Sequence, residues 1–212
     1  LLVRGGVPQL LEQHLQRWRE GATWLQLPEP PNQQQVEQWI AEAIRRSGIA
    51  DGALRINWSR GSGGRGLQPP SQAKGRCWGS LHPHQPSFQR QQVVISERVQ
   101  RWADDPLKGC KTLDYSAMVL ARLEASQAGA SDVLLRSSQG GLCCGSSANL
   151  LVQEGGQWLT PPLSSGALPG VMRARGVAMG LIQEARLADS LPNEQPALLL
   201  NSLDCRPLNH IA

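Results

Sequence analysis

The chain has 212 residues and a mass of 23.0 kDa, with 40% hydrophobic, 18% charged and 4% aromatic residues, 22 Gly and 15 Pro. That length and apolar content suit one large domain or two small ones and exclude a disordered or fibrous chain; no apolar run approaches the ~20 residues of a membrane-spanning helix, and even Ala197-Leu198-Leu199-Leu200 is ended by Asn201. A formal net charge of +4 permits an anionic partner but does not call for nucleic acid, because basic residues are mixed with acids and only Phe88 and Tyr115 supplement the tryptophans as stacking groups.

Leu1-Leu2-Val3 reads as a strand running into a turn over Arg4-Gly5-Gly6-Val7-Pro8. Leu10, Leu11, His14, Leu15, Trp18, Ala22 and Leu25 then recur at helical spacing, which predicts an amphipathic helix ending near Pro28. A second helix is predicted from about Gln33 to Arg46, with Val36, Trp39, Ile40, Ala43 and Ile44 on one face and Gly48 as its stop. Leu54 to Arg60 alternates apolar and polar residues as a half-buried strand does. The polar, Pro-interrupted stretch from His82 to Arg90 predicts a boundary between a small α/β lobe, residues 1–84, and a larger one, residues 93–212, with 85–92 as the connecting loop. Beyond it, a strand is expected at Val93-Val94-Ile95 and a helix over Leu113 to Ala128, closed by Gly129. Strands at Val133-Leu134-Leu135 and Asn149 to Val152 precede turns at Gln139-Gly140-Gly141 and Gly155-Gly156. A helix is predicted over Val171 to Leu187 and a buried strand at Ala197 to Leu200.

Few residues in this pattern carry obvious chemistry. The lysines are Lys74, Lys108 and Lys111 alone, and Lys111 stands just before an apolar helix beside Gly109-Cys110, where desolvation would free its amine as a nucleophile; the ordinary state of such a lysine is solvated. Gly61-Ser62-Gly63-Gly64-Arg65-Gly66 matches GxGxxG formally, but Leu67-Gln68-Pro69-Pro70 cannot open the helix that a dinucleotide fold requires. Arg60 and Arg65 of that loop remain as receivers of carboxylate or phosphate groups. Leu168-Pro169-Gly170-Val171-Met172-Arg173 places a glycine before an apolar helix, whose first N–H groups form an anion site or simply a helix entry. The five cysteines, two of them adjacent, show no CxxC spacing and read as reduced thiols of a cytoplasmic protein, and the sparse histidines assemble no metal site.

In order along the chain, Leu11 to Arg17, Arg60 to Gly66, Lys111-Thr112-Leu113-Asp114-Tyr115, Ala121 to Ala125, Cys144-Gly145-Ser146-Ser147-Ala148-Asn149, Thr160-Pro161-Pro162, Leu168 to Arg173 and Asn201-Ser202-Leu203 resemble the motifs of the class IV aminotransferase family, the fold type IV pyridoxal-phosphate enzymes. The resemblance covers essentially the whole chain and implies an α/β (α+β), two-lobed architecture like that of D-amino-acid aminotransferases, without the N-terminal strand and before the last strands of the family. It implies pyridoxal phosphate as cofactor, a small-molecule substrate, a homodimer, and neither membrane nor nucleic acid as partner. Lys111 would carry the cofactor and act as the proton-transfer base, and Tyr115 would hydrogen-bond its phenolic oxygen. Arg17, the backbone of Val171 and Met172, and Ser202, with Asn201 less clearly, would hold its phosphate. Arg55, Arg60 and Arg65 would hold substrate carboxylates.

Within the family, the Arg60 to Gly66 stretch is most similar to that of the 4-amino-4-deoxychorismate lyases, which release 4-aminobenzoate and pyruvate. One position departs from the family pattern. Cys144 stands five residues before Asn149, where the family carries the glutamate that protonates the cofactor's pyridine nitrogen. A thiol makes the ring a weaker electron sink, which favours elimination over transamination and leaves a branched-chain or D-amino-acid aminotransferase, or a cofactor-binding relative without activity, as the alternatives.

Overall fold

A computed structural model describes residues 1–210 and divides the chain into two compact units, Leu1–Gln85 and Pro86 onward. In the N-terminal unit, β1 (Leu2–Arg4) and β2 (Val7–Pro8) form a hairpin around Gly5 and Gly6, both at positive φ. Two helices follow, α1 (Leu11–Trp24) and α2 (Gln33–Ser47). The second is bounded by side-chain chemistry on both sides. Asn32 Oδ1 accepts the Gln35 N–H at 2.9 Å while Gln35 Oε1 accepts the Asn32 N–H at 3.1 Å, and Gly48 closes the helix at φ +69. β3 (Gly52–Ser59) and β4 (Arg76–Pro83) complete an antiparallel sheet in the order β2-β1-β3-β4. Val3, Leu11, Leu15, Val36, Ile40 and Leu54 bury one face of that sheet against the helices.

The C-terminal unit has eight strands and two α-helices among the described residues. In chain order they are β5 (Gln91–Ile95), α3 (Ser116–Gln127), β6 (Asp132–Arg136), β7 (Leu142–Gly145), β8 (Asn149–Glu154), β9 (Gln157–Thr160), a short 3₁₀ turn (Leu163–Ser165), α4 (Val171–Ala178), β10 (Ile182–Glu184), β11 (Ala197–Leu200) and β12 (Cys205–His210). The sheet order is β10-β9-β8-β11-β12-β5-β6-β7, and β7 also pairs with β8, so six of the strands close into a ring. Closure removes the free edges that strands otherwise expose. Val93, Leu134, Leu142, Leu150, Val152, Leu199 and Leu208 form one core cluster of these strands, while Val133, Leu135, Cys143 and Cys144 pack in a second cluster with Ala121 and Ala125 of α3.

Three expectations are corrected by the structure. The helix predicted over Val171 to Leu187 stops at Ala178, because Gly180 takes a positive φ and Ile182 enters β10 with its side chain packed on Gly176. The helix expected from Leu113 starts at Ser116, since Asp114 Oδ1 accepts both the N–H and the hydroxyl of Ser116 and bends the chain there. β4 was not expected at all, and its residues His82 and Pro83 lie within the stretch read as a boundary.

Candidate functional site

The C-terminal unit brings several of the expected cofactor residues to one end of its strand ring. Cys144 on β7 lies opposite Asn149 on β8, which lies opposite Leu200 on β11, and Asn201 and Ser202 follow directly. Asn149 does structural work that its sequence motif does not announce. Its amide Nδ2 donates to Leu168 O at 2.9 Å, and its Oδ1 lies against Gly170, where a Cβ would stand only 2.0 Å away. The loop is therefore seated against β8, and glycine is required because any side chain would displace Asn149. From that loop α4 starts at Val171 with no side-chain cap, so the first N–H groups, those of Val171 and Met172, have no acceptor from their own helix.

Asn201 is committed to the turn that carries Ser202. Its Oδ1 accepts the N–H groups of Leu203 at 2.8 Å and Asp204 at 3.0 Å. The side chain closes the turn and leaves the Ser202 hydroxyl as the side-chain donor beside it.

Arg173, in the first turn of α4, is buried at 4% exposure and donates to Pro161 O at 2.8 Å and to the Glu184 carboxylate. A buried cation must be paired, and this one fixes the first turn of α4 to the ends of β9 and β10.

The strand carrying Cys144 is irregular. Leu135 faces Cys144 while Arg136 faces Leu142, so Cys143 is an extra residue opposite the bond between them, a β-bulge. Regular alternation would send the two thiols to opposite faces; the bulge puts both in the cluster packed on α3. Cys143 donates to Ser165 O at 3.3 Å, and its thiol is pushed well up, first by the neighbouring Cys144 side chain and then by burial. Cys144 is shifted down, chiefly by its hydrogen bond with Cys143 against burial, with Arg101 adding positive potential and Asp132 opposing it. No carboxylate occupies position 144 itself, so the group there lacks the fixed negative charge of a glutamate.

Lys111 and Tyr115 stand at the entry to α3. Lys111 is exposed, with Nζ 5.7 Å from the centre of the Tyr115 ring, and Tyr115 is the residue before the helix. α3 is pinned to β6, the strand paired with the one that carries Cys144: Arg122 pairs with the fully buried Asp132 at 3.1 Å, and Ser146, just past β7, donates to Asp132 at 2.6 Å. Glu124 accepts from Ser96 and from the Glu97 N–H, tying the helix to the end of β5. A short salt-bridged network thus holds α3 and the Gly145 to Asn149 turn in one frame, with Lys111 five residues before the helix.

The four arginines expected at the site all belong to the N-terminal unit. Arg17 lies in α1, and Arg55 on β3 donates through Nε to Asn57 Oδ1 at 3.0 Å. Arg60 donates to Leu25 O at 2.8 Å, which ties the start of the glycine-rich loop to the end of α1, and Arg65 is exposed within that loop. Asn149 and Arg173 stand in the motifs that carry the resemblance but are given no role there, and Arg101 stands in none of them.

Among the described residues no group of His, Cys, Asp and Glu is arranged to hold a metal ion, and no helix is long and apolar enough to cross a membrane. The uncapped start of α4 and the Ser202 hydroxyl are donors of the kind a cofactor's phosphate takes, and Lys111 carries an amine beside Tyr115.

The sequence profile of the family described as amino-transferase class IV matches residues 1–211. A protein of Methanocaldococcus jannaschii named "Putative branched-chain-amino-acid aminotransferase" is 27% identical over 170 residues, 79% of this chain and 59% of that protein. One of Schizosaccharomyces pombe named "Putative aminodeoxychorismate lyase" is 28% identical over 201 residues, 91% of this chain and 80% of that protein. Among solved structures, the "Putative 4-amino-4-deoxychorismate lyase" of Legionella pneumophila shares the fold at a TM-score of 0.90 and 22% identity, covering 99% of this chain and 80% of that one.

Proposed function

This chain belongs to the amino-transferase class IV family, whose cofactor is pyridoxal phosphate, and from that premise we propose that it is a lyase converting 4-amino-4-deoxychorismate to 4-aminobenzoate and pyruvate. The observation that carries the reading is Cys144, a thiol on a β-bulge where the family pattern has a glutamate. Bound pyridoxal phosphate supplies an electron sink, and its strength depends on the charge held near the pyridine nitrogen. With a thiol there the sink is weak. Elimination tolerates this, because the electrons leave with the departing enolpyruvyl oxygen and the ring becomes aromatic, whereas amino transfer has no such outlet. The similarity to the S. pombe protein, over 91% of the chain, supports the same reading.

Each residue then has one task. The N–H groups of Val171 and Met172, the Ser202 hydroxyl and Arg17 hold the phosphate, with Arg17 supplying full positive charge and the helix start only a partial one. Tyr115 orients the cofactor ring through its phenolic oxygen. Lys111 Nζ would hold the cofactor and, as a free amine, would take the proton from the carbon that bears the substrate amine. Arg55 receives a substrate carboxylate, with Arg60 and Arg65 as further candidates from the same unit. The working protein is a cytoplasmic homodimer; Val119, Leu120 and Leu123 of α3 are about half exposed, an apolar face suited to a second copy.

The test compares wild type, Cys144→Glu and Lys111→Ala, each with added pyridoxal phosphate. Wild type is expected to release 4-aminobenzoate and to transfer amino groups between amino and keto acids poorly. Cys144→Glu should raise amino transfer, and Lys111→Ala should lose both the visible band of bound cofactor and its borohydride attachment to this residue. Robust amino transfer by the wild type would overturn the lyase reading in favour of an aminotransferase.

A further inference from the structure

The sheet of the N-terminal unit has a second face that its own core does not use. Leu54, Ile56 and Leu81 point to the helices. By strict alternation, Ala53, Arg55, Asn57 and Ser59 of β3 point the other way. Residues directly opposite across an antiparallel pair share a face, and the register sets His82 opposite Ala53, Ser80 opposite Arg55, Trp78 opposite Asn57 and Arg76 opposite Ser59. This face therefore carries Arg55, Arg76 and His82 with Trp78 between the two arginines, and among these eight residues there is no acid.

Arg76 is exposed, and among the described residues it makes no ion pair. Gly79, opposite Ile56 on the helix side of the sheet, lets the two strands approach closely, since a Cβ there would stand 2.6 Å from Arg55 O. Arg55 is held by its bond to Asn57, whose own Nδ2 donates to Trp78 O at 3.3 Å. The four residues from Arg55 to Ser59, the partner of Arg76, span roughly 13 Å of strand. Two long guanidinium arms starting from those points can converge on carboxylates held apart by a ring, with an indole beneath it.

We propose that this face of β3 and β4 receives a dicarboxylate built on a six-membered ring, one carboxylate on Arg55 and the second on Arg76. The inference rests on the lyase reading and deepens it: Arg76 makes the site select a ring with two carboxylates over one with a single carboxylate.

The experiment is calorimetric titration of the full chain loaded with pyridoxal phosphate, using chorismate as a ring dicarboxylate that lacks the reactive amine and 4-aminobenzoate as a monocarboxylate. Wild type, Arg76→Gln and Arg76→Lys are compared after their thermal midpoints are shown to agree. Arg76→Gln should weaken chorismate about tenfold or more and leave 4-aminobenzoate unchanged, with Arg76→Lys intermediate. Unchanged chorismate binding in Arg76→Gln, equal loss of both ligands, or no chorismate binding by wild type would each overturn the proposal. Release of 4-aminobenzoate by wild type is scored separately. A wild type that binds chorismate through Arg76 without turning over aminodeoxychorismate sinks the lyase reading alone; turnover with chorismate indifferent to Arg76 sinks this inference alone.

Discussion

In the N-terminal unit the residues proposed to act are long cations standing on an open sheet face, a helix and an exposed loop, whereas in the C-terminal unit, Lys111 and Tyr115 aside, they are backbone N–H groups and short side chains at the end of a strand ring. Arg55 and Arg65 are exposed and Arg60 spends a donor on Leu25 O. Val171, Met172, Ser202 and Cys144 are set instead by buried polar anchors, namely Asn149 against Gly170, Arg173 against Pro161 and Glu184, and Asp132 between Arg122 and Ser146. An exposed guanidinium finds its ligand by flexibility and charge, so the chain near it needs little precision. A backbone N–H cannot move by itself, so the fold around it must be exact to a fraction of an ångström.

That contrast predicts where small substitutions hurt. The largest effect is expected for Gly170→Ala, because the new methyl collides with the Asn149 amide that seats the loop. Overpacking of this kind costs about 1–3 kcal/mol. The first turn of α4 should shift with it and weaken pyridoxal-phosphate binding by about tenfold, the equivalent of roughly 1.4 kcal/mol. Denaturant unfolding and cofactor titration check both; unaltered binding would show that the anchor does not govern the helix start.

A smaller change belongs to the other unit. Asn32→Ala removes the side-chain acceptor for the Gln35 N–H, leaving only the half of the cap made by the residue-32 N–H, and should cost about 1 kcal/mol while leaving cofactor affinity untouched. A drop in affinity equal to that of Gly170→Ala would erase the contrast.

The smallest effect concerns pH. Asp51 has its carboxyl held below the usual range, first by the Gly5 N–H it accepts at 2.9 Å, with partial burial opposing and Arg4 assisting. A lowered folded-state value means that the unfolded chain binds the proton more readily. The contribution to stability is therefore present above the ordinary aspartate range and is lost as pH falls through the folded-state value. Asp51→Asn should flatten the acid limb of the stability profile slightly, measured by thermal midpoints between about pH 3 and 6.

Much of the architecture was legible in the residues themselves. The stripes of α1 and α2, the Gly48 stop and the turns at Gly140-Gly141 and Gly155-Gly156 follow from periodicity and punctuation. β4 was not legible, because an edge strand with one face uncovered needs no apolar alternation, and Arg76-Cys77-Trp78-Gly79-Ser80-Leu81-His82-Pro83 has little. α4 was drawn too long because Val177, Met179, Leu181 and Ile182 continue an apolar pattern past the glycine that ends it. Lys111 is singled out by its place before an apolar helix beside Gly109-Cys110 and given its role by the order of the motifs, since nothing in its composition separates it from a solvated lysine.

The amino-acid sequence by itself determined the local elements, the family's motif order and the exchange of a carboxylate for Cys144, because these depend on neighbours a few residues apart. Tertiary structure alone decided that both thiols share a face, that Asn149 seats the loop before α4, and that Arg76 stands on the same sheet face as Arg55. Two of these are matters of register between paired strands, which a shift of one residue would reverse, and the third is a contact between residues 19 positions apart in the chain.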